Sequence, residues 1–476
     1  MNPSELQTVK FAHVVDGNLL QSKKSECCKD PRTNEPLWNV PVAGEEELQI
    51  AVTAAQNAFP VWSKKPATER QGVLRQLVDV LREHKEFLAA IVSKETGKSA
   101  FMGGLEIDHS IGFLEYNEGE ASQEISDEIV HEDDTVQIVQ THVPLGIVGA
   151  ICPWNFPLVL AIAKVAAAIV TGNCIIVKPS PFTPYSILKF AEIATKIVPA
   201  GVFQALNGDN SLGASMTTHP GIQKISFTGS TKTGKKIMEA ASGTLKRITL
   251  ELGGNDATIV CPDVDVSKVA TEVANGCLFN AGQMCVATKR VYVHESIREE
   301  FLQRFVEAAK VFTEQPTMAP PIFGPVQNQM QYAIIQGLIE DCKATGCNII
   351  AGQNQSPNGL FIEPTIVDNP SDDSRIVKEE QFGPIIPILS WKDEEEVIRR
   401  ANDTDAGLGA CVWSKDPTRA LSIGRRLEAG SVWINSSEKP SPVAYFSGHK
   451  QSGIGGEWGR QGLLSYCNTQ SIHIYK

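Results

Sequence analysis

Three short segments of the sequence carry side chains that together suffice for acyl chemistry. Asn155 stands in PWNFP, Glu251 in LELGGN and Cys285 in FNAGQMC. A thiol is a nucleophile, a side-chain amide stabilises an oxyanion, and a carboxylate accepts a proton from an attacking water. Each residue taken alone has an ordinary explanation, because buried cysteines are commonly inert, glutamates at strand ends are solvated or paired, and asparagine shapes turns. The combination is what indicates chemistry.

A fourth segment, KISFTGSTKTGKK, places Gly229 and Gly234 between a predicted strand and a predicted helix. Backbone N–H groups and the helix dipole favour a phosphate at such a junction. The segment approaches the nucleotide-hydrolase pattern GxxxxGK[ST], but Lys236 stands where Ser or Thr would hold magnesium. A dinucleotide site, a nucleotide hydrolase and a simple tight helix start therefore all stay open here. With a dinucleotide as hydride acceptor, the four segments indicate oxidation of a carbonyl.

The elements that position these segments follow from the hydrophobic pattern. Short β-branched runs alternate with helical periodicity, which predicts βαβ crossovers and a parallel sheet that binds ligands at the carboxyl ends of its strands. This first series comprises CIIVK, a helix over 185–197, FQALN, a short helix near Leu212, KISFT, a helix from Thr231, and RITLEL. A second α/β series follows Gly253. Its predicted helices cover 266–280, 297–312 and 329–345, and its strand-like runs are ATIV, RVYVH, NIIAG, PIIPILSW and SVWIN.

The remaining regions are helical near the N-terminus and strand-like in two places. Apolar residues at three- and four-residue spacing predict helices over 45–58 and 67–96. The run TVQIVQTH at 135–142 and the final SIHIYK approach a period of two, so each predicts a strand that requires a partner.

Composition excludes several classes of function. The 476 residues carry 43 basic and 55 acidic side chains, and the net charge of −12 disfavours a nucleic-acid partner. The most apolar stretch, 158–170, contains Lys164 and is shorter than the roughly 20 residues that cross a bilayer, so it predicts a buried helix. Eleven cysteines without a secretion signal, paired CxxC spacing or Cys/His clusters predict no disulfide framework, no metal and a cytoplasmic location. We interpret the adjacent Cys27 and Cys28 as inert rather than oxidisable.

Seven motifs in order make the sequence resemble the aldehyde dehydrogenase superfamily from about Asp30 to the last strand. They are PWNFP, KPS, FTGSTKTG, LELGGN, GQMC, EEQFGP and KQSGIGGEWG. The resemblance implies an α/β fold with a Rossmann-type nucleotide-binding domain, an α/β catalytic domain and a small β oligomerisation element. The expected boundaries are 1–125 with 145–252 for the first, 253–450 for the second, and 126–144 with 451–476 for the third, in which the arm pairs with the tail of the same chain or of its neighbour. Homodimers or homotetramers are expected.

The resemblance also implies a mechanism. Cys285 attacks a small-molecule aldehyde to give a thiohemiacetal, which a lowered thiol pKa would favour, and Asn155 with the Cys285 backbone N–H holds the oxyanion. After hydride loss, Glu251 deprotonates the water that hydrolyses the thioester, whereas relatives that transfer the acyl group to coenzyme A lack this glutamate. Glu457 is expected either to assist proton movement or to form a structural salt bridge. A non-catalytic member would have lost Cys285, Glu251 or Asn155, and all three are present.

The same resemblance assigns a cofactor site and departs from the family at one position. Trp154 lies on the adenosine side, Lys178 and Ser180 approach the adenine ribose, and the remaining assigned residues are Gly229, Ser230, Gly234, Glu380 and Phe382. Many NAD-dependent relatives read KPSE, whose glutamate repels a 2′-phosphate, but this sequence has Pro181 there. NAD is the expected cofactor, and NADP stays possible.

Six apolar residues are expected to line the aldehyde tunnel by this resemblance: Phe156, Leu160, Ala163, Phe279, Met284 and Phe446. Ala163 replaces a bulky aromatic of several relatives and Ser447 replaces a glycine, so a wider tunnel for aliphatic or aromatic aldehydes is expected. We interpret Glu438 as a loop carboxylate that faces solvent rather than one that attracts a cationic aminoaldehyde.

Overall fold

A computed structural model describes residue 6 and residues 8–119, 125–314, 322–352 and 359–476. These residues form an eight-stranded sheet, a seven-stranded sheet and a separate three-stranded sheet, together with three short strand pairs. Helices pack around the two large sheets and bury separate apolar cores against them. Residues 1–5 of the expected nucleotide-binding domain, and most of its boundary near residue 125, lie outside the described residues.

The strands are numbered in chain order. The first eleven are β1 His13–Val15, β2 Asn18–Leu20, β3 Ser25–Lys29, β4 Pro36–Pro41, β5 Glu128–Glu132, β6 Val136–Pro144, β7 Ile147–Ile151, β8 Cys174–Lys178, β9 Phe203–Ala205, β10 Lys224–Thr228 and β11 Arg247–Glu251. The others are β12 Ala257–Val260, β13 Arg290–His294, β14 Asn348–Ala351, β15 Thr365–Asp368, β16 Ile385–Trp391, β17 Ala406–Gly407, β18 Gly409–Trp413, β19 Ser431–Ile434, β20 Phe446–Ser447, β21 His449–Lys450, β22 Gly453–Ile454, β23 Gly456–Glu457 and β24 Cys467–Tyr475.

The α-helices are numbered in the same way. They are α1 Glu45–Trp62, α2 Ala67–Glu83, α3 Lys85–Thr96, α4 Ala100–Gly119, α5 Pro157–Val170, α6 Tyr185–Ala194, α7 Asn210–Thr218, α8 Thr231–Ala241, α9 Val266–Leu278, α10 Arg298–Glu314, α11 Gln329–Ala344, α12 Arg375–Lys378, α13 Glu394–Asn402, α14 Pro417–Gly424 and α15 Gly459–Leu464. Short 3₁₀ turns occupy Ser242–Thr244, Phe279–Gly282 and Glu295–Ile297.

The first large sheet has the order β2-β1-β9-β8-β7-β10-β11-β22, and its strands β7 to β11 are parallel. The predicted βαβ series from Cys174 is therefore confirmed. Strand order reverses beside β7, where parallel sheets open a crevice at the carboxyl ends of their strands. The segments PWNFP, KPS, FTGS and LGGN follow β7, β8, β10 and β11, so all four lie at that edge.

The second large sheet has the order β14-β15-β16-β13-β12-β18-β19 and is parallel except at β14. This confirms the second α/β series, with NIIAG as its antiparallel edge strand. The 3₁₀ turn that carries the cysteine loop connects α9 toward β13, so the two sheets approach each other through this loop and the ends of the first sheet.

The third sheet has the order β24-β6-β5, and the nine residues of β24 pair antiparallel with β6, with Ile138 opposite His473. The expected pairing of the arm with the tail thus occurs within one chain. Alternation in the two segments predicted both strands, because each exposes backbone groups that the other satisfies.

The predicted helical character of the N-terminal region is confirmed, and two details were not predicted. The segment 67–96 is not one helix, because the chain breaks at His84, whose φ of −100° and ψ of 13° end α2 and begin α3. The strand pairs β1/β2 and β3/β4 were not predicted at all. Among the residues that the structure describes, no helix combines the length and apolar character needed to cross a membrane.

Candidate active site

The cysteine loop is held by an unusual backbone conformation. Asn280, Ala281 and Gly282 follow one another with φ of 52°, 54° and 73°, a left-handed run that turns the chain sharply after α9. A Cβ on Gly282 would lie 2.5 Å from the carbonyl oxygen of Gly383, so this position accepts only glycine without movement. Because strained non-glycine residues cluster at functional sites, the run marks the loop that presents Cys285.

Asn155 contacts this loop directly. It follows β7, is 5% exposed, and its Nδ2 donates to the carbonyl oxygen of Gln283 at 3.1 Å. The Gln283 side chain in turn donates to the carbonyl oxygen of Asn280 at 2.9 Å and accepts from the backbone N–H of Gln327 at 2.8 Å. The amide expected to serve the oxyanion is thereby fixed two residues from Cys285.

Glu251 is the last residue of β11 and is buried. Its Oε2 accepts a hydrogen bond from Thr228 Oγ1 at 3.0 Å, while its Oε1 is buried without a hydrogen-bond partner among the described residues. Burial raises the pKa of Glu251 to about 7, although the nearby Lys164 ammonium acts in the opposite direction. A carboxyl group with this pKa can hold and release a proton near neutral pH.

Glu457 lies in a buried polar network that extends from Glu251. Lys164 Nζ is 3.3 Å from Glu457 Oε1 and 3.9 Å from Glu251 Oε2. Glu457 also accepts from the hydroxyl of Ser226 and, at 3.0 Å, from that of Tyr466. Burial raises the pKa of Glu457, but Lys164 and these hydrogen bonds outweigh burial and hold it below its usual value. The ion pair with Lys164 is present, so Glu457 is fixed beside the expected base.

The Cys285 thiol does not have the lowered pKa that would favour its attack. Burial raises the pKa of this thiol to about 12, and the largest opposing effect is the charge of Lys289. Lys289 is 3% exposed, and its Nζ donates to the carbonyl oxygens of Met284, at 2.8 Å, and of Cys285. The thiol must therefore transfer its proton to a base before it attacks. Sequence reasoning missed Lys289, since no motif marks it.

The loop and helix assigned to the cofactor are closely packed. Ser230 is the N-cap of α8 and accepts from the backbone N–H of Thr233 at 3.3 Å. A Cβ on Gly234 would lie 2.5 Å from Leu252 Cδ2, and one on Gly229 would lie 2.5 Å from the ring of Phe227. Glycine at these positions lets the helix start approach the sheet, which fits the close approach that a pyrophosphate requires.

The two residues expected at the adenine ribose lie at the end of β8 and in the loop that follows it. Lys178 ends β8 and is buried, which lowers its pKa to about 8, and its Nζ donates to the carbonyl oxygen of Pro179 at 3.3 Å. Ser180 follows, and its Oγ accepts from the backbone N–H of Phe182 at 3.3 Å. The Lys178 ammonium and the Ser180 hydroxyl can both donate hydrogen bonds to ribose hydroxyl oxygens.

Glu380 and Phe382 face the glycines after β11. Glu380 Oε1 accepts from the backbone N–H of Gly254 at 3.1 Å, and a Cβ on Gly253 would lie 2.1 Å from Glu380 Oε2. Phe382 has a φ of 46°, and its ring meets that of Trp154 edge-on at 5.3 Å. Trp154, assigned to the adenosine side, is thus in contact with a residue assigned to the nicotinamide ribose. The donors, carboxylate and glycine cradle fit a dinucleotide.

The expected tunnel residues fall into two apolar clusters. One cluster contains Phe156, Leu160 and Ala163, and the other contains Met284, Cys285 and Phe446. The sixth expected residue, Phe279, stacks on Phe156 at 6.1 Å.

Trp458 joins the two clusters and was not singled out from the sequence. Its ring lies 4.9 Å from that of Phe113 and 4.5 Å from that of Phe446, while Trp433 packs in the second cluster. Trp458 has a φ of 64°, a conformation that a large residue adopts only under constraint. The Gly-rich motif GGEWG, which carries this tryptophan, was the available signal.

The prediction that Glu438 faces solvent is wrong. Its Oε1 accepts from Thr288 Oγ1 at 2.5 Å and lies 3.5 Å from Cys411 Sγ. Burial raises the pKa of Glu438. The half-buried carboxyl group is therefore engaged with Thr288 and is not free in solvent.

Two further features concern metals and nucleotide hydrolysis. Within the described ranges, no group of three His, Cys, Asp or Glu side chains is arranged to hold a metal ion. Lys235, the lysine of the GxxxxGK-like segment, donates to Gln451 Oε1 at 2.7 Å. Its ammonium is thus engaged with the tail segment.

Comparison with known proteins agrees with this geometry. Residues 20–472 match the model of the aldehyde dehydrogenase family. Aldehyde dehydrogenase LUC3 of Fusarium sp is 40% identical over 469 residues, which cover 98% of this chain and 99% of that protein. The NAD⁺ complex of an aldehyde dehydrogenase from Bacillus cereus is 32% identical with a TM-score of 0.95, covering 100% of this chain and 99% of that one. An NADP-dependent enzyme of E. coli is 31% identical with a TM-score of 0.94, covering 100% of both chains. Since sequence and structure agree over almost the full length, the chain belongs to the aldehyde dehydrogenase family and is an enzyme that oxidises an aldehyde.

Proposed function

We propose that the protein oxidises its aldehyde to the free carboxylic acid through covalent intermediates on Cys285, with Glu251 as the base for hydrolysis. The observation that carries this proposal is the buried Glu251 carboxyl group, whose pKa is about 7 and whose Oε1 has no hydrogen-bond partner among the described residues. A carboxylate in this state accepts a proton from water at neutral pH. A thioester awaiting hydrolysis requires such a base.

In the first step, the Cys285 thiol loses its proton and its sulfur bonds to the carbonyl carbon, which gives a thiohemiacetal. Burial raises the thiol pKa, and in this proposal the proton passes to solvent water as the sulfur–carbon bond forms, so the role of Glu251 is limited to hydrolysis. Asn155 Nδ2 and the Cys285 backbone N–H donate to the oxyanion, and such donors contribute about 2.7 to 4 kcal/mol each. The hydrogen bond from Asn155 to Gln283 keeps the amide in place.

The residues that would hold the cofactor are Trp154, Lys178, Ser180, Gly229, Ser230, Gly234, Glu380 and Phe382. When bound, a nicotinamide dinucleotide supplies the acceptor for the hydride that leaves the thiohemiacetal carbon. NAD is the proposed cofactor, and one similar structure is an NAD⁺ complex while another is described as NADP dependent.

In the second step, Glu251 accepts a proton from water as the water oxygen bonds to the thioester carbon, and the carbon–sulfur bond breaks to release the acid. Lys164 influences the charge of both carboxyl groups at this site, because its ammonium lies between Glu251 and Glu457. A Glu251 carboxyl group that has gained a proton is neutral, and it must lose that proton before the next hydrolysis.

We further propose that the substrate is an apolar aliphatic or aromatic aldehyde. The support is the pair of clusters joined by Trp458, whose surfaces near Cys285 are aromatic and aliphatic. The Glu438 carboxyl group is bonded to Thr288, so it does not offer a free carboxylate that would attract a cationic substrate.

Domain limits, assembly and location complete the proposal. We keep 1–125 with 145–252, 253–450, and 126–144 with 451–476 as the three domains. A homodimer or homotetramer is supported by the edge strand β24, which exposes Ile472, Ile474 and Tyr475. A cytoplasmic location is supported by the eleven cysteines, all of which are free.

The function is tested with purified protein, a panel of aliphatic and aromatic aldehydes, and NAD and NADP in parallel. Cofactor reduction is followed by the absorbance of the reduced nicotinamide at 340 nm. The product is identified by NMR with and without added coenzyme A. We expect the free acid in both cases. A product that forms only with coenzyme A would contradict hydrolysis.

A further inference from the structure

Strand β3 bridges the two loops that follow β8 and β9. At its start, Lys24 Nζ lies 3.5 Å from Asp209 Oδ2, in the loop after β9. Near its end, Cys28 Sγ donates to the carbonyl oxygen of Pro181 at 3.1 Å, and the Cys28 backbone N–H donates to the hydroxyl of Tyr185 at 2.9 Å. The strand therefore passes the carboxyl ends of β8 and β9, where a dinucleotide's adenosine half binds in this type of sheet.

Glu26 lies between these two anchors and faces inward. Ser25, Cys27 and Lys29 are exposed, whereas Glu26 and Cys28 are half-buried, as the two-residue alternation of a strand requires. Glu26 Oε1 is fully buried and has no hydrogen-bond partner among the described residues. A buried carboxylate oxygen without a donor is costly, so it indicates a ligand that supplies one.

Lys178 is a buried cation whose pKa the charge of Glu26 influences. Lys178 ends β8 and is 3% exposed, and a Cβ on Gly213 of α7 would lie 3.8 Å from its Cε. Burial lowers the pKa of Lys178 to about 8, while the charges of Asp209 and Glu26 act in the opposite direction. The Lys178 ammonium thus lies within electrostatic reach of two carboxylates, Glu26 on β3 and Asp209 in the loop after β9.

We propose that Glu26 is the carboxylate that accepts hydrogen bonds from the adenine-ribose hydroxyls of NAD, opposite Lys178, and so replaces the acidic residue absent at Pro181. This inference rests on the proposed function, in which Lys178 binds that ribose. A carboxylate accepts from both ribose hydroxyls but repels the dianionic 2′-phosphate of NADP. Asp209 is paired with Lys24, so Glu26 is the carboxylate that opposes a 2′-phosphate here, and the protein selects NAD although Pro181 removes the usual carboxylate.

Cys28 acquires a role in this arrangement. Its thiol hydrogen bond to the Pro181 carbonyl holds β3 against the loop after β8, and burial raises the pKa of the Cys28 thiol to about 12, so the group stays protonated and able to donate. Cys28 thereby fixes the register that places Glu26 toward Lys178. Cys27 is exposed on the opposite face of the strand and takes no part.

The test uses equilibrium binding of two unreactive fragments to the full chain by isothermal titration calorimetry. Adenosine 5′-monophosphate carries free ribose hydroxyls, and adenosine 2′,5′-bisphosphate carries the 2′-phosphate. We expect the unaltered protein to prefer the monophosphate, and Glu26→Gln to change the affinity ratio by about tenfold toward the bisphosphate. The matched control is Glu35→Gln, which removes the same charge from an exposed residue of the same strand pair and should leave the ratio unchanged.

Each outcome decides the inference. Equal affinities of the unaltered protein for the two fragments, or a ratio that Glu26→Gln leaves unchanged, would overturn the role of Glu26 while leaving the cofactor site in place. Binding of neither fragment nor NAD would instead contradict the proposed function. Equal affinities in the unaltered protein need no variant, so they would overturn the role of Glu26 even if Glu26→Gln failed to fold.

Discussion

Lys164 Nζ lies 3.9 Å from Glu251 Oε2, inside the first large sheet's carboxyl edge, and both groups are almost completely buried. The ammonium therefore sets the charge state of the residue that must act as base. Burial and, to a smaller extent, the charge of Glu457 raise the pKa of Glu251, and Lys164 is the largest influence that lowers it, which leaves the pKa at about 7.

Lys164→Met should raise the pKa of Glu251, since it removes the main group that lowers it. Hydrolysis needs the carboxylate, so the deacylation rate rises with pH through this pKa, and its midpoint should move to higher pH by at least one unit in the variant. The pH dependence of the deacylation rate measures this. Lys189→Met, which removes a buried cation on α6, should leave the midpoint unchanged, and an unshifted midpoint in Lys164→Met would refute the coupling.

Asn155→Ala should reduce kcat/KM by about 10² to 10³, because one oxyanion donor is lost. NAD binding should stay within about twofold, since Asn155 contacts the cysteine loop through Gln283 and lies on no cofactor contact that we assign. Steady-state kinetics and calorimetry check the two parts. A decrease in kcat/KM that is smaller than about tenfold would contradict the role of Asn155.

Lys289→Met should slow alkylation of Cys285 by iodoacetamide in the cofactor-free protein. Lys289 is the strongest group opposing the burial that raises the thiol pKa to about 12, so its loss raises that pKa further, and each unit lowers the thiolate fraction about tenfold. Alkylation rates between pH 8 and 10 are compared by mass spectrometry. Lys268→Met, exposed on α9, is the control, and equal rates in all three proteins would exclude an effect of Lys289.

His13 should make the fold sensitive to mild acid. Burial lowers its pKa to about 4, against 6.5 for an exposed histidine, so between these values the unfolded chain binds a proton that the folded chain does not. The contribution of neutral His13 to stability is fully present above about pH 6.5. The free energy of unfolding then falls by up to about 3 kcal/mol as the pH approaches 4. Urea unfolding at pH 7 and pH 5 should show a smaller loss in His13→Gln than in the unaltered protein, and an equal loss would show that other groups dominate.

Local patterns predicted the elements that satisfy their own hydrogen bonds or bury one face. CIIVK and KISFT match β8 and β10 residue for residue, and the alternating arm and tail form β6 and β24. The β3/β4 pair was missed because its strands show no clean alternation of apolar and polar residues. The break at His84 was missed because the apolar periodicity continues through it.

Site features that depend on distant contacts were beyond the sequence. Lys289 gains its role from carbonyl oxygens of a left-handed loop and from Glu380, 3.8 Å away, which no spacing shows. Glu438 is interior because Thr288 lies opposite it. The raised pKa of Cys285 follows from burial, whereas a motif states only which residue is the nucleophile.

The most direct test of the account is a pre-steady-state experiment with Glu251→Gln. Rapid mixing with NAD and an aldehyde that the unaltered protein oxidises should release about one equivalent of NADH per active site and then stop, because only thioester hydrolysis needs the base. Intact mass spectrometry should find the acyl group on Cys285, and Cys285→Ala should give neither burst nor adduct. Continued turnover at the unaltered rate, with no acyl adduct, would contradict the proposed roles of Glu251 and Cys285.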